Sequence, residues 1–262
     1  MDSGLRTFSL AGKTALVAGA SRGIGLAIAR HIAEAGAHTI LAARSLDKLE
    51  EHAQSLNAKG CHASALRLDM ADPESVRAAA DSIETPDILV NVAGTNIRKR
   101  FETYTQDEYS HLLQTNLHGI VALTQQIGGR MVARGAGGKI IMIGSLTSFL
   151  GLPYMSVYGL TKGALAQLTM SLAAEWGHHN IQVNCIAPGF IPTDLNRKMW
   201  ESDKMREWLR ASQADPRLGT PDDIAPLAVF LAGRGSDYIN GQIISVDGGF
   251  TTTAIWPYEP GP

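Results

Sequence analysis

Tyr158 and Lys162 bring together a phenol and an ammonium, a combination that can take part in proton transfer. They lie four positions apart in SVYGLTKGA (156–164), a segment with a helical pattern. On a helix such residues share one face, with Cβ atoms about 5–6 Å apart. A nearby ammonium favours the phenolate and lowers the pKa of a phenol, ordinarily about 10. Tyr158 could therefore exchange a proton with a carbonyl or alcohol, Lys162 could hold a ribose hydroxyl, and the neighbouring glycines and alanine would leave room for a cofactor.

Other polar residues are predicted to lie where they could contact a molecule bound to Tyr158 and Lys162. Ser145 ends the apolar run KIIMIGS (139–145). In open parallel sheets ligands bind outside the carboxyl ends of the strands, so Ser145 could hydrogen-bond a substrate carbonyl. The alternative for Ser145 is an ordinary turn or capping hydroxyl. Asn116, inside a helical pattern over 105–135, is either a hydrogen-bonded core residue or part of a proton path. At the same predicted edge another run ends in Asn91, Ala93 and Gly94.

A glycine-rich turn, AGASRGIG (18–25), follows the first apolar run and opens a helical segment. Glycines there let the backbone turn sharply and approach a pyrophosphate, which would bind at the positive helix N-terminus. The spacing is G-x-x-x-G-x-G rather than the commoner G-x-G-x-x-G, and a purely structural turn is the alternative. The predicted cofactor contacts in this loop are Gly19, Ser21, Arg22, Gly23, Ile24 and Gly25.

The end of the second apolar run favours NADP(H) over NAD(H). An acidic residue there would bond the ribose 2′-hydroxyl of NAD, but the run ends in Arg44. The nearest acid, Asp47, falls inside the start of the next helix. Arg44 and Arg22 are instead placed to meet a 2′-phosphate. Two solvated surface arginines are the alternative.

Short apolar runs alternate with longer helical patterns along the chain. The runs cover 14–20, 38–44, 61–70, 87–94, 139–145, 181–189 and 242–249. Most are apolar at consecutive positions, which is typical of strands buried on both faces. The alternation predicts an α/β fold, a Rossmann-type doubly wound sheet of about seven parallel strands with helices on both faces, as one domain over 1–262. Helix starts are marked by Asp72-Pro73, Thr105-Gln-Asp-Glu108 and Thr220-Pro221.

Segment 190–215 does not follow this alternation of apolar runs and helical patterns. It carries Met199, Trp200, Met205 and Trp208 among charged residues. The pattern predicts either a helical flap over a site or an ordinary pair of surface helices.

Composition excludes several classes of function. A net charge of −2 over 262 residues gives no basic surface for nucleic acid or anionic lipid. Cys61 and Cys185 lie far apart in apolar runs and are interpreted as buried free thiols, and no Cys/His spacing suits a metal. The chain shows neither a signal-peptide pattern nor an apolar stretch long enough to span a bilayer. We therefore expect a cytoplasmic protein without a metal, a membrane or a nucleic-acid partner.

Over nearly its whole length the chain resembles the short-chain dehydrogenase/reductase family. The segments that carry the resemblance are AGASRGIG (18–25), LDM (68–70), NVAG (91–94), TN (115–116), Ser145, YGLTK (158–162), PGFIPT (188–193) and VDGG (246–249). One small departure is Ala18, where the family often has threonine, and it removes one loop hydroxyl.

This resemblance implies roles for the matching residues. Tyr158 would be the general acid/base, Lys162 would tune its pKa and bind ribose, Ser145 would orient the carbonyl, and Asn116 would hold a relay water. The implied cofactor contacts are Asp69 and Met70 at the adenine, Asn91, Ala93 and Gly94 near the adenosine ribose, and Pro188, Gly189, Ile191 and Thr193 at the nicotinamide. It also implies a homotetramer with the VDGG region at an interface.

The substrate expectation rests on NVAGTNIRKRF (91–101). Within the family the chain resembles the gluconate 5-dehydrogenase and deoxy-ketogluconate dehydrogenase group, whose members tend to carry a basic cluster here. Arg98 could clasp a carboxylate bidentately, or it is an ordinary loop arginine. We therefore expect NADP(H)-dependent interconversion of a small keto-sugar acid, such as 5-ketogluconate, and its hydroxy acid. Two alternatives are a 3-oxoacyl-thioester reductase, although 190–215 is not obviously basic for an acidic carrier, and a catalytically idle nucleotide-binding sensor or scaffold.

Overall fold

A computed structural model describes residues 5–193 and 196–254. Seven strands within these residues form one parallel sheet in the order β3-β2-β1-β4-β5-β6-β7. The strands are β1 (Thr14–Ala18), β2 (His38–Ala43), β3 (His62–Arg67), β4 (Ile88–Asn91), β5 (Gly138–Ile143), β6 (Ile181–Pro188) and β7 (Ile243–Val246). The predicted α/β sheet of parallel strands is confirmed.

Helices cover both faces of this sheet. In the described part of the chain they are α1 (Gly23–Glu34), α2 (Leu46–Ala58), α3 (Pro73–Asp81), α4 (Gln106–Leu113), α5 (Gly119–Arg134), α6 (Ser156–Trp176), α7 (Arg197–Trp200), α8 (Asp203–Ser212) and α9 (Pro221–Ala232). One hydrophobic core lies between the sheet and α1, α2 and α9, and a second lies under α3, α5 and α6. Val17 faces the first core and Leu16 the second, which explains why the strands are apolar at consecutive positions.

The predicted helix starts are confirmed by their capping contacts. The Asp72 carboxylate accepts a hydrogen bond of 3.0 Å from the Glu74 amide, with Pro73 as the first residue of α3. Thr105 and Glu108 form the reciprocal capping box at α4, with bonds of 3.2 and 2.9 Å. The Asp223 carboxylate accepts from the Thr220 amide at 2.6 Å.

Several strands end earlier than the apolar runs suggested, and the residues left over form the loops of the site. The run 87–94 continues three residues past β4, and the run 14–20 continues two residues past β1. Ala18, the last residue of β1, pairs with Ala42 of β2 and Asn91 of β4. The chain crosses over in opposite directions on the two sides of β1, which creates the crevice at which α/β sheets bind ligands.

The two cysteines are free thiols. Cys185 is buried as expected, but Cys61 is only half-buried because it precedes β3, an edge strand of the sheet. Among the described helices we find none that is long and apolar enough to cross a membrane.

Candidate active site

A cavity of about 1020 Å³ opens at the carboxyl ends of the central strands. The structure brings to it nearly every site residue predicted from sequence. Those that line it are Gly19, Ser21, Arg22, Gly23, Ile24, Gly25, Arg44, Asp69, Met70, Ala93, Gly94, Arg98, Ser145, Tyr158, Lys162, Pro188, Gly189, Ile191 and Thr193. Asn91 and Asn116 do not.

The glycine turn packs so closely that side chains are excluded. Gly19 has a φ of +102°, and a Cβ there would lie 2.6 Å from the Ala93 nitrogen. A Cβ on Gly25, in the first turn of α1, would lie 2.1 Å from the Gly19 carbonyl oxygen. The backbone is therefore open to a ligand at the start of α1, which is the geometry that suits a pyrophosphate.

Positive charge collects at one end of the cavity. Arg22 and Arg44 are exposed and line it, with Arg44 directly after β2. Lys48, in the first turn of α2, lines it too. Lys48 was missed from sequence, although a lysine four residues after Arg44 in a helix start was a usable signal. Three cationic side chains beside the glycine turn suit a phosphorylated ribose.

Tyr158 and Lys162 lie on one face of α6, as predicted. The Lys162 ammonium is 5.7 Å from the centre of the Tyr158 ring and donates a hydrogen bond of 2.8 Å to the Ile143 carbonyl oxygen. Lys162 is only 3% exposed. This burial lowers the pKa of its ammonium from 10.5 to about 8.

The pKa of Tyr158 departs from the sequence-based expectation. It is raised above 10.0, chiefly because burial disfavours the charged phenolate. A hydrogen bond with the Ser145 side chain and the positive charge of Arg98 act in the opposite direction. The expected lowering by Lys162 was wrong in its net direction because it neglected the cost of burying a charge.

Ser145 is held beside Tyr158 by a short 3₁₀ turn. It follows β5 and precedes the turn Leu146–Ser148, and its hydroxyl accepts a 3.2 Å hydrogen bond from the Thr147 amide. The Ser148 hydroxyl accepts from the Ser145 amide at 3.2 Å and donates to the Lys162 carbonyl at 3.0 Å. Ser145 thus has the capping contact that we considered as the alternative, and it also bonds the phenol.

Asn116 and Asn91 are bonded residues behind the cavity wall. Asn116 is fully buried in one π-helical turn, Gln114–His118, between α4 and α5. Its side chain accepts from the Thr95 amide and donates to the Thr95 carbonyl, both at 2.8 Å. Asn91, still within β4, donates to Thr124 of α5 at 2.9 Å. The expected contact between Asn91 and the cofactor stays a prediction.

The small residues near Tyr158 on α6 do not line the cavity, although their size suggested that they would leave room for a cofactor. Of the residues of α6, all of them described, Tyr158 and Lys162 are the ones that line the cavity. A Cβ on Gly159 would lie 3.6 Å from the Thr147 side chain, so this glycine packs against the Ser145 turn. Gly163 faces open space.

An aromatic wall closes the other end of the cavity. Met199, Trp200, Met205 and Trp208 of segment 190–215 line it, while Asp194 and Leu195 lie outside the described residues. The Phe190 ring centre lies 5.2 Å from that of Trp200 and 5.5 Å from that of Trp208.

Sequence reasoning missed Tyr154, which lines the cavity with a φ of +66°. Nothing in its neighbourhood of the sequence signals that conformation.

Together these features define a class of protein. A glycine turn at a helix N-terminus and a basic patch fit a phosphorylated dinucleotide, and a serine–tyrosine pair lies in the same cavity. This is the arrangement of an α/β oxidoreductase that uses a nicotinamide dinucleotide.

The comparisons with known proteins agree. A family model described as enoyl-(acyl carrier protein) reductase matches residues 19–251. Gluconate 5-dehydrogenase of Gluconobacter oxydans is 36% identical over 94% of this chain and 97% of its own length. For 2-dehydro-3-deoxy-D-gluconate 5-dehydrogenase of Bacillus subtilis the identity is 43%, over 93% and 96%. The crystal structure of a gluconate 5-dehydrogenase from Burkholderia cenocepacia, in complex with NADP and tartrate, superposes with a TM-score of 0.92 at 38% identity, covering 96% and 100% of the two chains.

The chain belongs to the short-chain dehydrogenase/reductase family. It is an oxidoreductase that acts on hydroxyl or keto groups.

Proposed function

We propose that the protein interconverts a keto-sugar acid, such as 5-ketogluconate, and its hydroxy acid with NADP(H). The observation that carries the proposal is the position of Arg98, which lines the cavity close enough to Tyr158 for its charge to lower the phenol pKa. A carboxylate on this guanidinium would bring the remainder of a short sugar acid towards the phenol. The names of the relatives, gluconate and deoxygluconate dehydrogenases, support the same class of substrate.

The residues of the cavity fit NADP(H). Gly19, Gly23 and Gly25 leave the backbone accessible for the pyrophosphate, and Arg22 and Arg44 would bind the 2′-phosphate. Asp69 and Met70 would contact the adenine, and Lys162 the nicotinamide ribose. At the nicotinamide end the contacts would come from Pro188, Gly189, Ile191 and Thr193. When bound, the nicotinamide supplies or accepts the hydride.

Tyr158 would supply the proton for reduction. Its raised pKa keeps the phenol protonated at neutral pH, which is the form that a proton donor needs. When a carbonyl is bound, the Ser145 hydroxyl would turn its single hydrogen from the phenol to the carbonyl oxygen and orient it. Arg98 would stabilise the phenolate left after transfer. In the reverse reaction the phenolate would take the alcohol proton.

Other expectations are also part of the proposal. Asn116 holds the backbone of Thr95, beside the cavity, and would support a water relay to the Lys162 ammonium. Both side chains lie close to Gly94: a Cβ on this glycine would be 3.5 Å from Asn116 Oδ1 and 3.6 Å from Lys162 Nζ.

Segment 190–215 would act as a flap within a single domain. Edge strand β7 has only half-buried residues, which supports a homotetramer joined through the VDGG region. We further propose that this protein is cytoplasmic.

Arg98→Gln tests the substrate proposal. We expect the KM for 5-ketogluconate to rise at least about tenfold, because a charge-assisted bidentate bond is lost. The KM for NADPH should stay unchanged. Arg100→Gln is a matched control, since Arg100 is an exposed arginine on the same loop that is not among the residues lining the cavity. Equal KM values for 5-ketogluconate in both variants would refute the carboxylate clamp.

A second candidate is reduction of a 3-oxoacyl thioester. The apolar wall of Phe190, Met205 and Trp208 favours it, because such a surface could hold an acyl chain. Acetoacetyl-CoA offered with NADPH separates the two functions. Turnover of the thioester in preference to 5-ketogluconate would assign the second.

A further inference from the structure

Arg98 lies on the loop 95–104, which Asn116 anchors at Thr95 and which two further attachments hold at Lys99, the residue after Arg98. The Lys99 ammonium bonds both carboxylate oxygens of Glu108 on α4, at 3.0 and 2.8 Å. It also lies 5.7 Å from the centre of the Tyr104 ring. Both charged side chains are largely shielded, at 27% and 31% exposure. The loop is thus tied to α4 through one side chain.

The backbone of Lys99 makes the second attachment. Its amide donates a hydrogen bond of 3.2 Å to the carbonyl oxygen of Tyr154. Tyr154 holds a left-handed φ of +66°, a conformation that a non-glycine residue keeps only where its surroundings enforce it. Its side chain lines the cavity. Lys99 therefore joins the loop of Arg98 to the loop of Tyr154.

A further contact stiffens the loop on the other side of Arg98. The Tyr104 hydroxyl donates to the carbonyl oxygen of Ile97. Arg98 is thus flanked by two residues that are each fixed, although its own side chain is exposed. Bidentate recognition of a carboxylate depends on a guanidinium held in place before binding, because ordering it on binding costs affinity.

We propose that Lys99 is a positioning residue, which holds Arg98 at the substrate end of the cavity through its attachments to Glu108 and to the Tyr154 carbonyl. Lys99 itself would not touch the substrate. The inference rests on the proposed function, since it assigns to Arg98 the binding of a substrate carboxylate.

Steady-state kinetics of the full chain with NADPH and 5-ketogluconate test the inference. Lys99→Met and Glu108→Gln remove the ion pair, and glutamine keeps the α4 capping box. Both should raise the KM for 5-ketogluconate about fivefold and leave the KM for NADPH unchanged, and any loss of kcat should be smaller than the loss in Arg98→Gln. Lys99→Arg should restore the wild-type KM. Lys139→Met is the matched control. It breaks the ion pair between Lys139 and Asp237, whose charged atoms are 2.8 Å apart and whose residues do not line the cavity.

A second arm separates positioning of Arg98 from general loosening of the fold. In an Arg98→Gln background, Lys99→Met should add no further rise in KM, because the residue that it positions is gone. An equal rise in both backgrounds, or an unchanged KM in Lys99→Met and Glu108→Gln, would overturn the inference alone. A wild-type enzyme that does not turn over 5-ketogluconate would instead overturn the proposed function and the inference with it.

Discussion

Tyr158 is the residue on which the proposed chemistry depends, and its surroundings explain why. Burial raises its pKa, and Ser145 and Arg98 partly offset that rise. The phenol therefore stays protonated at neutral pH, as the proposed proton donor must, and Arg98 would stabilise its conjugate base. The net direction of this shift could not be predicted from the i, i+4 spacing, because spacing reports a neighbour and not the depth of burial.

Tyr158→Phe should lower kcat for the reduction by about 10²–10⁴-fold, the usual contribution of a general acid. NADPH binding should be retained, because Tyr158 is only one of the predicted cofactor contacts and the glycine turn and the arginines are left in place. Tyr238→Phe, at a fully exposed tyrosine, is the control and should have wild-type kcat. Unchanged turnover in Tyr158→Phe would remove the proton donor from the account.

Lys162→Met gives a pH-dependent prediction for stability. The ammonium pKa is lowered from 10.5 to about 8 in the folded protein, so between these pH values the unfolded chain binds more protons. Stability from this group therefore rises with pH across that window and is lost as pH falls through about 8. In urea unfolding from about pH 8 to about pH 10, wild type should gain stability relative to Lys162→Met. A constant difference would show that Lys162 is not buried as a charge.

At the scale of elements, the glycine turn between β1 and α1 makes a sharp prediction. Gly25→Ala would place a Cβ 2.1 Å from the Gly19 carbonyl oxygen, so backbone must move and the dinucleotide site should be lost with much of the stability. Gly163→Ala is the matched helical control, with nothing within 4 Å of the added Cβ. It should stabilise the protein by about 0.5–1 kcal/mol. Thermal unfolding and NADPH titration of both variants provide the measurement, and equal behaviour would contradict the packing described.

The elements were more predictable than the contacts between them. Consecutive apolar residues identified the buried strands, and Asp72, Thr105 and Thr220 marked the helix starts, because each signal is local. Asn91 ends β4 as predicted, but an apolar run gives no signal that its side chain bonds Thr124 of α5. Tyr154 was missed because nothing local signals its left-handed backbone, and its carbonyl is bonded by Lys99, which is distant in sequence.

At the scale of the whole molecule, the cavity joins two halves of the sheet. Arg44 and Lys48 follow β2, and Arg98 follows β4, so these cations line the cavity from the two neighbours of β1. We propose that Arg44 and Lys48 take part in the choice of cofactor and Arg98 in the choice of substrate. Arg22, Arg44 and Arg98 were predicted from sequence because each lies at or just beyond the end of an apolar run, whereas Lys48 was missed because it lies inside a helix.

The measurement that tests the central claim most directly is NADPH oxidation by the purified protein offered 5-ketogluconate, with NADH run alongside. The account predicts rapid turnover with NADPH and a kcat/KM at least about tenfold lower with NADH, because Arg22 and Arg44 would bind the 2′-phosphate. Equal rates with both cofactors would contradict the role of the two arginines. Absence of turnover with either cofactor would contradict the sugar-acid assignment itself.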